Sequence, residues 1–335
     1  MRATITPFEE CHLEGAARLL AARQARDRVQ EPALPHAFES PEAVRPHVER
    51  LFRQHTTSGV VALRDGEPVG FLLAAAVLPS PTHLLAQFFP PRSISVPYHG
   101  HALAADEDAS LYRELYAALA GDCVRRGYFD HFVGVLDCDH AAQEAWDSLG
   151  FGRDSTAAVR EVDQPVRAAG SVEVHQLGPE GIDVILALAE ALGRYHAGSP
   201  IFMPDLRETE TGLRDMALAL LADPGNPCFV AYRDGRPLGM NTFMPPGFLS
   251  PLQAPKSCVY LFQGVVHEEA RGKGVGRALL AHSLAWARRQ GYRWCTLHFA
   301  AANLSGAAFW LGNGFRPLEH RLRRHIDERI AWASA

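Results

Sequence analysis

A chain of 335 residues exceeds the usual size of a single hydrophobic core, so two domains are expected. Its 47% hydrophobic and 21% charged residues suit a soluble globular protein, and no apolar run approaches the roughly 18 residues that span a membrane. The net charge of −5 gives no general attraction to nucleic acid. Acids at Glu9, Glu10 and Glu14 interrupt the segment where a signal peptide needs an apolar core, so a cytoplasmic location is the expectation. Six scattered cysteines without a C-x-x-C pair read as reduced, mostly buried thiols. Charge divides unevenly. Residues 1–165 hold 23 acidic against 15 basic residues and the remainder 15 against 18, which makes the second half the better host for an anionic ligand.

In chain order, helical periodicity covers residues 13–28 and 41–54. Residues 61–70 (VALRDGEPVG) then read as two strands joined by an Asp-Gly turn, with a third strand at 72–77. A fourth strand, a long helix, a fifth strand, a short helix and closing strands follow. The stretch 164–170, with Pro165 and Gly170, reads as a linker. Beyond it the same order returns, with helices at 181–196 and 206–222, a hairpin, and a third strand at 240–244. The hairpin sequence itself recurs 169 positions later as residues 230–239 (VAYRDGRPLG). Gly127-Tyr128, Trp146 and Gly150-Phe151 recur as Gly291-Tyr292, Trp310 and Gly314-Phe315, each shifted by 164. An ordered series at nearly constant offset marks a duplication, with domains expected at 1–165 and 171–335.

The apolar, β-branched run 259–266 (VYLFQGVV) reads as a buried strand. It feeds the segment Arg271, Gly272, Lys273, Gly274, Val275 and Gly276, after which residues 277–290 are helical. A strand leading through a glycine-rich turn into a helix aims unpaired amides and the positive end of the helix dipole at one point. Arg271, Lys273 and Arg277 add positive charge, and a diphosphate is the natural ligand. At the matching positions of the first half stand residues 107–112, preceded by Asp106. No glycine remains there, and Glu107 and Asp108 oppose an anion. That half is expected to bind no cofactor.

Three glycines alone are a weak signal, but the context resembles a known family. Arg271, Gly274 and Gly276 match the Arg/Gln-x-x-Gly-x-Gly/Ala signature of the GNAT acyltransferase superfamily. Asn303, Ala307, Trp310 and Gly314-Phe315 resemble its Asn…Ala…Tyr…Gly-Phe ending. The resemblance is specific over residues 259–315, extends over 171–330, and reaches the first half only through the internal repeat. It implies an α/β (α+β) fold of two tandem GNAT-like domains. Each would be a mixed, mostly antiparallel sheet with splayed fourth and fifth strands and helices on both faces. It implies acetyl-CoA as cofactor and CoA as product. The amides of Val265 and Val266 would lie along the pantetheine and acetyl carbonyl, those of residues 271–277 on the pyrophosphate, and Asn303 beside the pantetheine arm.

The chemistry implied is direct attack of a small-molecule amine on the thioester in a ternary complex, which asks for oxyanion donors and a route for the amine proton. Trp310 stands where many relatives carry an acidic tyrosine, and indole N–H is no useful acid; it reads as packing. Tyr260 and Phe262 occupy strand positions where relatives can carry a glutamate. His298 on the fifth strand, together with Tyr260, is the catalytic expectation, against a purely structural role or a water chain serving as base. Between the first two helices of the second half, Phe202 and Met203 offer an apolar wall. Asp205 would hold a cationic amine, or else cap the next helix. Residues 137–140 (DCDH) have poor spacing for a metal, and Asp139 reads as a helix cap. The arginine-rich stretch 316–329 reads as a strand with one solvated face rather than a nucleic-acid patch. The leading expectation is a small-molecule N-acetyltransferase, monomeric or homodimeric, with no nucleic-acid or membrane partner. Its tandem layout is similar to mycothiol synthase, and an amine-antibiotic acetyltransferase is another enzymatic option. A non-catalytic acyl-CoA-binding or sensing module is the alternative from a different class.

Overall fold

The computed structural model describes residues 3–167 and 172–333, so part of the expected linker lies outside the described residues. The first half runs β1 (Thr4–Pro7), α1 (Leu13–Gln30), α2 (Pro41–Phe52), β2 (Thr57–Arg64), β3 (Glu67–Val77), β4 (Ser93–Val96), β5 (His101–Leu103), α3 (Leu111–Arg125), β6 (Asp130–Leu136), α4 (His140–Asp147) and β7 (Gly152–Glu161). The second runs β8 (Glu173–Leu177), α5 (Ile182–Ala197), α6 (Glu210–Ala222), β9 (Cys228–Arg233), β10 (Arg236–Met244), β11 (Cys258–Val266), α7 (Val275–Arg289), β12 (Trp294–Ala300), α8 (Leu304–Gly312) and β13 (Arg316–His325). The order of elements is the same twice, apart from the division of one strand into β4 and β5 and a short last helix, Ile330–Ala333, after β13.

Both hairpins turn on Asp-Gly pairs in which each residue has positive φ, at 52° and 86° for Asp65-Gly66 and at 52° and 72° for Asp234-Gly235. That backbone matches the right-handed twist of the flanking strands. The separate third strands expected at 72–77 and 240–244 do not exist. They are the run-on of β3 and β10, in which Pro68 and Gly70, and Pro237 and Gly239, lie at register shifts and make no turn. A register shift at Ala62/Leu63 and another at Pro237/Gly239 absorb the irregularity instead.

The strands form one mixed sheet in the order β1-β2-β3-β4-β6-β13-β7-β12-β11-β10-β9-β8, with β5 also on β3. The closing strands are exchanged. Strand β13 of the second half lies between β6 and β7 of the first, and β7 lies between β12 and β13. The arginine-bearing face of β13 is half-exposed, with Leu318, His320 and Leu322 buried on the other, so the expected solvated face is present only in part. With a strand on either side, its arginines reach carboxylates of the first half: Arg316 pairs with Glu31, Arg321 with Asp154 at 2.8 Å and Arg323 with Asp130 at 2.7 Å.

Helices cover both faces. Leu13, Ala17 and Leu20 of α1 and Val44 and Val48 of α2 pack on one face with Phe71 and Val159, and that core takes in Leu252, Trp294 and Leu318 from the second half. On the other face Leu115 and Leu119 of α3 meet Trp146 of α4 and Leu322 of β13. In the second half Leu279, Leu280 and Leu284 of α7 pack on Val259, Leu261 and Leu297, while Ile185 and Leu188 of α5 lie opposite on Val230 and Met240. The exchange makes a prediction. Residues 1–165 expressed alone leave β6 and β7 without the strand between them and should show no cooperative thermal unfolding by circular dichroism. Adding residues 166–335 should restore a cooperative transition. A cooperative melt of the first fragment alone would show that it folds without β13.

Candidate active site

Strands β11 and β12 run parallel and pair only at Cys258–Trp294, Val259–Cys295 and Tyr260–Thr296. Beyond Tyr260 they part, while each keeps its other neighbour, β10 or β7. Backbone polar groups along the gap are left facing it. At the open end of β11 lies the loop. Gly272 and Gly274 have φ of 72° and 83°, in the left-handed region where a side chain is disfavoured, and Gly274 precedes the first residue of α7. Gly276 is needed for space: a Cβ there would meet the Phe309 ring at 3.1 Å. The Arg271 guanidinium donates to the Val266 carbonyl at 3.1 Å and lies 4.3 Å over the ring of Tyr195.

The gap opens into a cavity of about 2640 Å³ lined from both halves of the chain. This exceeds the roughly 300–1,000 Å³ of an ordinary single-ligand pocket. Val265, Val266, Asn303 and every residue from Arg271 to Arg277 line it, as do Tyr260, His298, Phe202, Met203 and Asp205. The structure thus brings every expected site residue to one cavity. Asp205 does not cap α6, which begins at Glu210. Its carboxylate lies against Gly193 of α5, where a Cβ would stand 3.4 Å from Oδ1. Phe202, with a φ of 51°, is 70% exposed at the rim.

Asn303 is the N-cap of α8, its Oδ1 accepting from the Gly306 amide at 2.9 Å and from the Tyr195 hydroxyl at 3.1 Å. Tyr195 also lies 2.5 Å from the Ser305 hydroxyl. Tyr195 therefore ties the end of α5 to Arg271 on one side and to the α8 cap on the other, a link that the sequence did not signal. Trp310 lies against Gly264 of β11, where a Cβ would meet its ring at 2.8 Å, and packs edge-on against Phe309 and Phe315. This is packing, and it forbids a side chain at position 264.

On the sheet floor the Tyr260 hydroxyl and His298 Nδ1 are 3.0 Å apart. Burial is the main cause that lowers the His298 pKa to about 3, with Arg321 adding to it, and burial also raises that of Tyr260. Both are neutral at pH 7, and an imidazole with so low a pKa is a weak base. Sequence reasoning missed Glu319, which lines the same floor. Burial raises its carboxyl pKa to about 7. It escaped notice as one acid inside an arginine-rich strand.

At the first-half positions 164 residues earlier, side chains fill the corresponding region. Glu107 pairs with Arg64 at 2.8 and 2.9 Å, and Asp108 accepts from the Ser110 amide at 2.7 Å. Tyr112, in the place of Gly276, reaches His101 Nδ1 at 3.0 Å. The buried Arg23 guanidinium donates to the carbonyls of Tyr98 and His101 and lies 4.0 Å over the Tyr98 ring. Asp139 caps α4, as the sequence suggests, accepting from Ala142 at 3.0 Å.

Residues 195–315 match the model of the acetyltransferase (GNAT) family. None of the curated proteins compared matches the chain. A GCN5-related N-acetyltransferase from Sphaerobacter thermophilus is similar at 17% identity and a TM-score of 0.60, over 97% of this chain and 96% of that one. A tandem GNAT protein from the clavulanic acid biosynthesis pathway is similar at 15% identity and 0.51, over 96% and 97%. A glucosamine N-acetyltransferase region in a fungal multi-domain GH3 β-N-acetylglucosaminidase is similar at 14% and 0.58, over 96% of this chain and 38% of that one. These likenesses establish the GNAT fold, in tandem. The similarity of layout to mycothiol synthase rests on the tandem order alone.

The double use of Asn303 sets a testable value. Asn303→Ala removes a helix cap and the partner of Tyr195, and should cost about 1 kcal/mol of stability in urea unfolding. A stability equal to wild type would show that the cap and the tie to α5 contribute nothing measurable.

Proposed function

We propose that the protein is an acetyl-CoA-dependent N-acetyltransferase that acetylates the amine of a small molecule in a ternary complex. The observation that carries this reading is the glycine loop at the mouth of two splayed strands, opening into one cavity large enough for a long cofactor arm and an acceptor. The family match over residues 195–315 supports acyl transfer in general.

The residues present suit the cofactor chemically. The backbone of Gly272 and Gly274 turns through conformations that expose successive amides, and the dipole of α7 begins at Gly274. The amides of residues 271–277 would hold the pyrophosphate, with Arg271, Lys273 and Arg277 supplying countercharge. The amides of Val265 and Val266 would hold the pantetheine and the acyl oxygen, with Asn303 at the edge of the arm. Acetyl-CoA would supply an activated thioester and depart as CoA. Trp310 packs over Gly264 of β11 and closes one side of the strand gap. Phe202, Met203 and Asp205 are the acceptor contacts of this reading. The first half, with Tyr112, Arg23 and Tyr98 in the place of a cofactor cleft, would bind no cofactor and instead supply walls to the acceptor cavity. In this reading the domains remain 1–165 and 171–335 in sequence, although their sheets are joined.

Two measurements test the proposal. Isothermal titration should detect CoA binding to the wild type, and Gly274→Val or Gly276→Val should reduce it by at least a hundredfold, about 3 kcal/mol. Unchanged affinity would refute the loop assignment. Thiol release from acetyl-CoA should then be followed with a panel of amines that includes an amino sugar, a polyamine and an arylalkylamine. Binding of CoA with no turnover on any of them would favour the non-catalytic acyl-CoA-binding module, a reading kept in view by Trp310 and by the low basicity of His298.

A further inference from the structure

The cavity wall beside the strand gap is aromatic. Thr242 and Phe243 of β10 pair with Gln263 and Leu261 of β11, so the ladder skips Phe262. An irregularity of this kind bends a strand and re-aims its side chains. The Phe262 ring lies 6.4 Å from that of Tyr260. Phe248 packs on both, within 6° of parallel to Phe262 at 5.8 Å and tilted against Tyr260 at 5.5 Å. The first half holds Phe248 in place. Its neighbours Leu249 and Leu252 are buried in the first-half core, and the Leu252 carbonyl accepts from Gln24 Nε2 at 2.9 Å. Phe248 nevertheless stays 38% exposed inside the cavity, leaving apolar surface in water that a ligand would cover.

Flat surfaces continue from this cluster across the floor. The Tyr260 hydroxyl meets His298 of β12, and beyond β7 the Arg321 guanidinium of β13 lies 4.8 Å over the ring of Phe89. On β7, opposite His298 and Arg321, stand only the small residues Ala157 and Ser155. Phe89 belongs to the first-half segment 78–92, whose Leu84, Leu85 and Phe88 also line the cavity. Gln87 Nε2 fastens that segment to the second half by donating to Thr209 Oγ1 at 2.8 Å. Three strand spacings separate β11 from β13, about 14 Å. An acetyl group covers only one end of such a strip.

Charge along the strip is already answered. Arg321 pairs with Asp154 and Arg323 with Asp130, while burial leaves Glu319 about half protonated at pH 7. Asp205, Glu208 and Glu210 line the cavity from the exposed segment between α5 and α6 instead. The strip thus offers rings and apolar surface, with little for a ligand that needs many hydrogen bonds or several countercharges.

Resting on the N-acetyltransferase reading above, we infer that the acceptor is a primary amine on a planar aromatic body. Its amino end lies beside Phe262 and the strand gap, and its ring lies along the strip toward Phe89. Phe248, Phe262 and Tyr260 then set the specificity of the reaction by stacking on that ring, and the cofactor-free half contributes the far end of the site.

The test uses the full-length protein with acetyl-CoA and phenylethylamine, its saturated analogue cyclohexylethylamine, glucosamine and spermidine. The kcat/KM for phenylethylamine should exceed that for each of the others, by about tenfold or more for glucosamine and spermidine. Phe248→Ala should raise KM for phenylethylamine by about tenfold, with a smaller effect on kcat, and Phe248→Tyr should keep the preference. CoA titration reports whether each variant is folded. Should Phe248→Ala not fold, Phe262→Leu keeps an apolar strand residue and should shift KM in the same direction. Calorimetric binding of phenylethylamine to the CoA-loaded protein should weaken with the loss in KM. Turnover of cyclohexylethylamine, glucosamine or spermidine as efficient as that of phenylethylamine would overturn the inference and leave the proposed function standing. So would an unmoved KM for phenylethylamine in the folded variants. Faster transfer from benzoyl-CoA than from acetyl-CoA would assign the strip to the acyl group and overturn it as well. Absence of CoA binding, or of any acetylated amine, would overturn the proposed function and this inference with it.

Discussion

The passage of β13 between β6 and β7 is the constraint on which the rest of the molecule depends. Each half lends its last strand to the sheet of the other, and neither sheet closes without the loan. Three arginines on that strand, Arg316, Arg321 and Arg323, meet Glu31, Asp154 and Asp130 of the first half. The uneven charge of the chain, acidic in the first half and basic in the second, thereby acquires a structural cause. Part of the positive excess that reads as an invitation to an anionic ligand is answered by carboxylates inside the chain. Those three pairs place each half-buried guanidinium against a carboxylate, while Arg324 on the same strand lies over the Tyr116 ring.

The same exchange explains how two copies of one fold came to do different physical work. In the second half the pair of parallel strands parts at Tyr260, and a glycine loop stands at the mouth. In the first, β4 and β6 pair over Ser93–Val96, after which the chain breaks at Pro97 and returns as β5 on β3. The space is taken by Tyr98, His101, Tyr112 and the buried Arg23. Tyr112 occupies the position of Gly276, so one glycine-to-tyrosine difference both removes an amide approach and supplies the plug. A buried, hydrogen-bonded network of this kind fixes its part of the sheet in one arrangement. Through His101 Nε2, 2.8 Å from the Gly134 carbonyl, the network reaches β6, the strand beside β13.

How far all this was legible follows from what kind of information a pattern carries. The duplication, the glycine loop and the Asp-Gly hairpins were readable because each is a local sequence with one backbone consequence. The tyrosine-to-tryptophan change at Trp310 was readable as packing, and Gly264 beneath it shows why. The strand exchange was not readable. A period of two tells which side chains share a face, but not which strand lies alongside, and β13 alternates just as it would at an edge. Glu319 was hidden for the same reason: with a solvated face assumed, one acid among arginines has no consequence. The division of residues 67–77 into two strands failed because Pro68 and Gly70 mark a register shift within β3, where the same residue types could equally mark a turn.

The floor of the cavity shows why that hidden neighbour matters for charge. One physical cause, removal from water, acts on His298 and Glu319 with opposite results because burial penalises whichever form carries charge. The imidazole is driven to its neutral form far below working pH and held against Tyr260, where it can neither gain a proton readily nor leave. The carboxyl is driven upward, and two arginines and an amide stop it at about 7. Had β13 lain at a solvent edge, the carboxyl would titrate near its ordinary 4.5. The histidine that a sequence reader picks out as the base is thus the group that burial disables, and the glutamate that reads as solvated is the one that burial brings to titrate near neutral pH. Both outcomes follow from which strands lie beside Ala157.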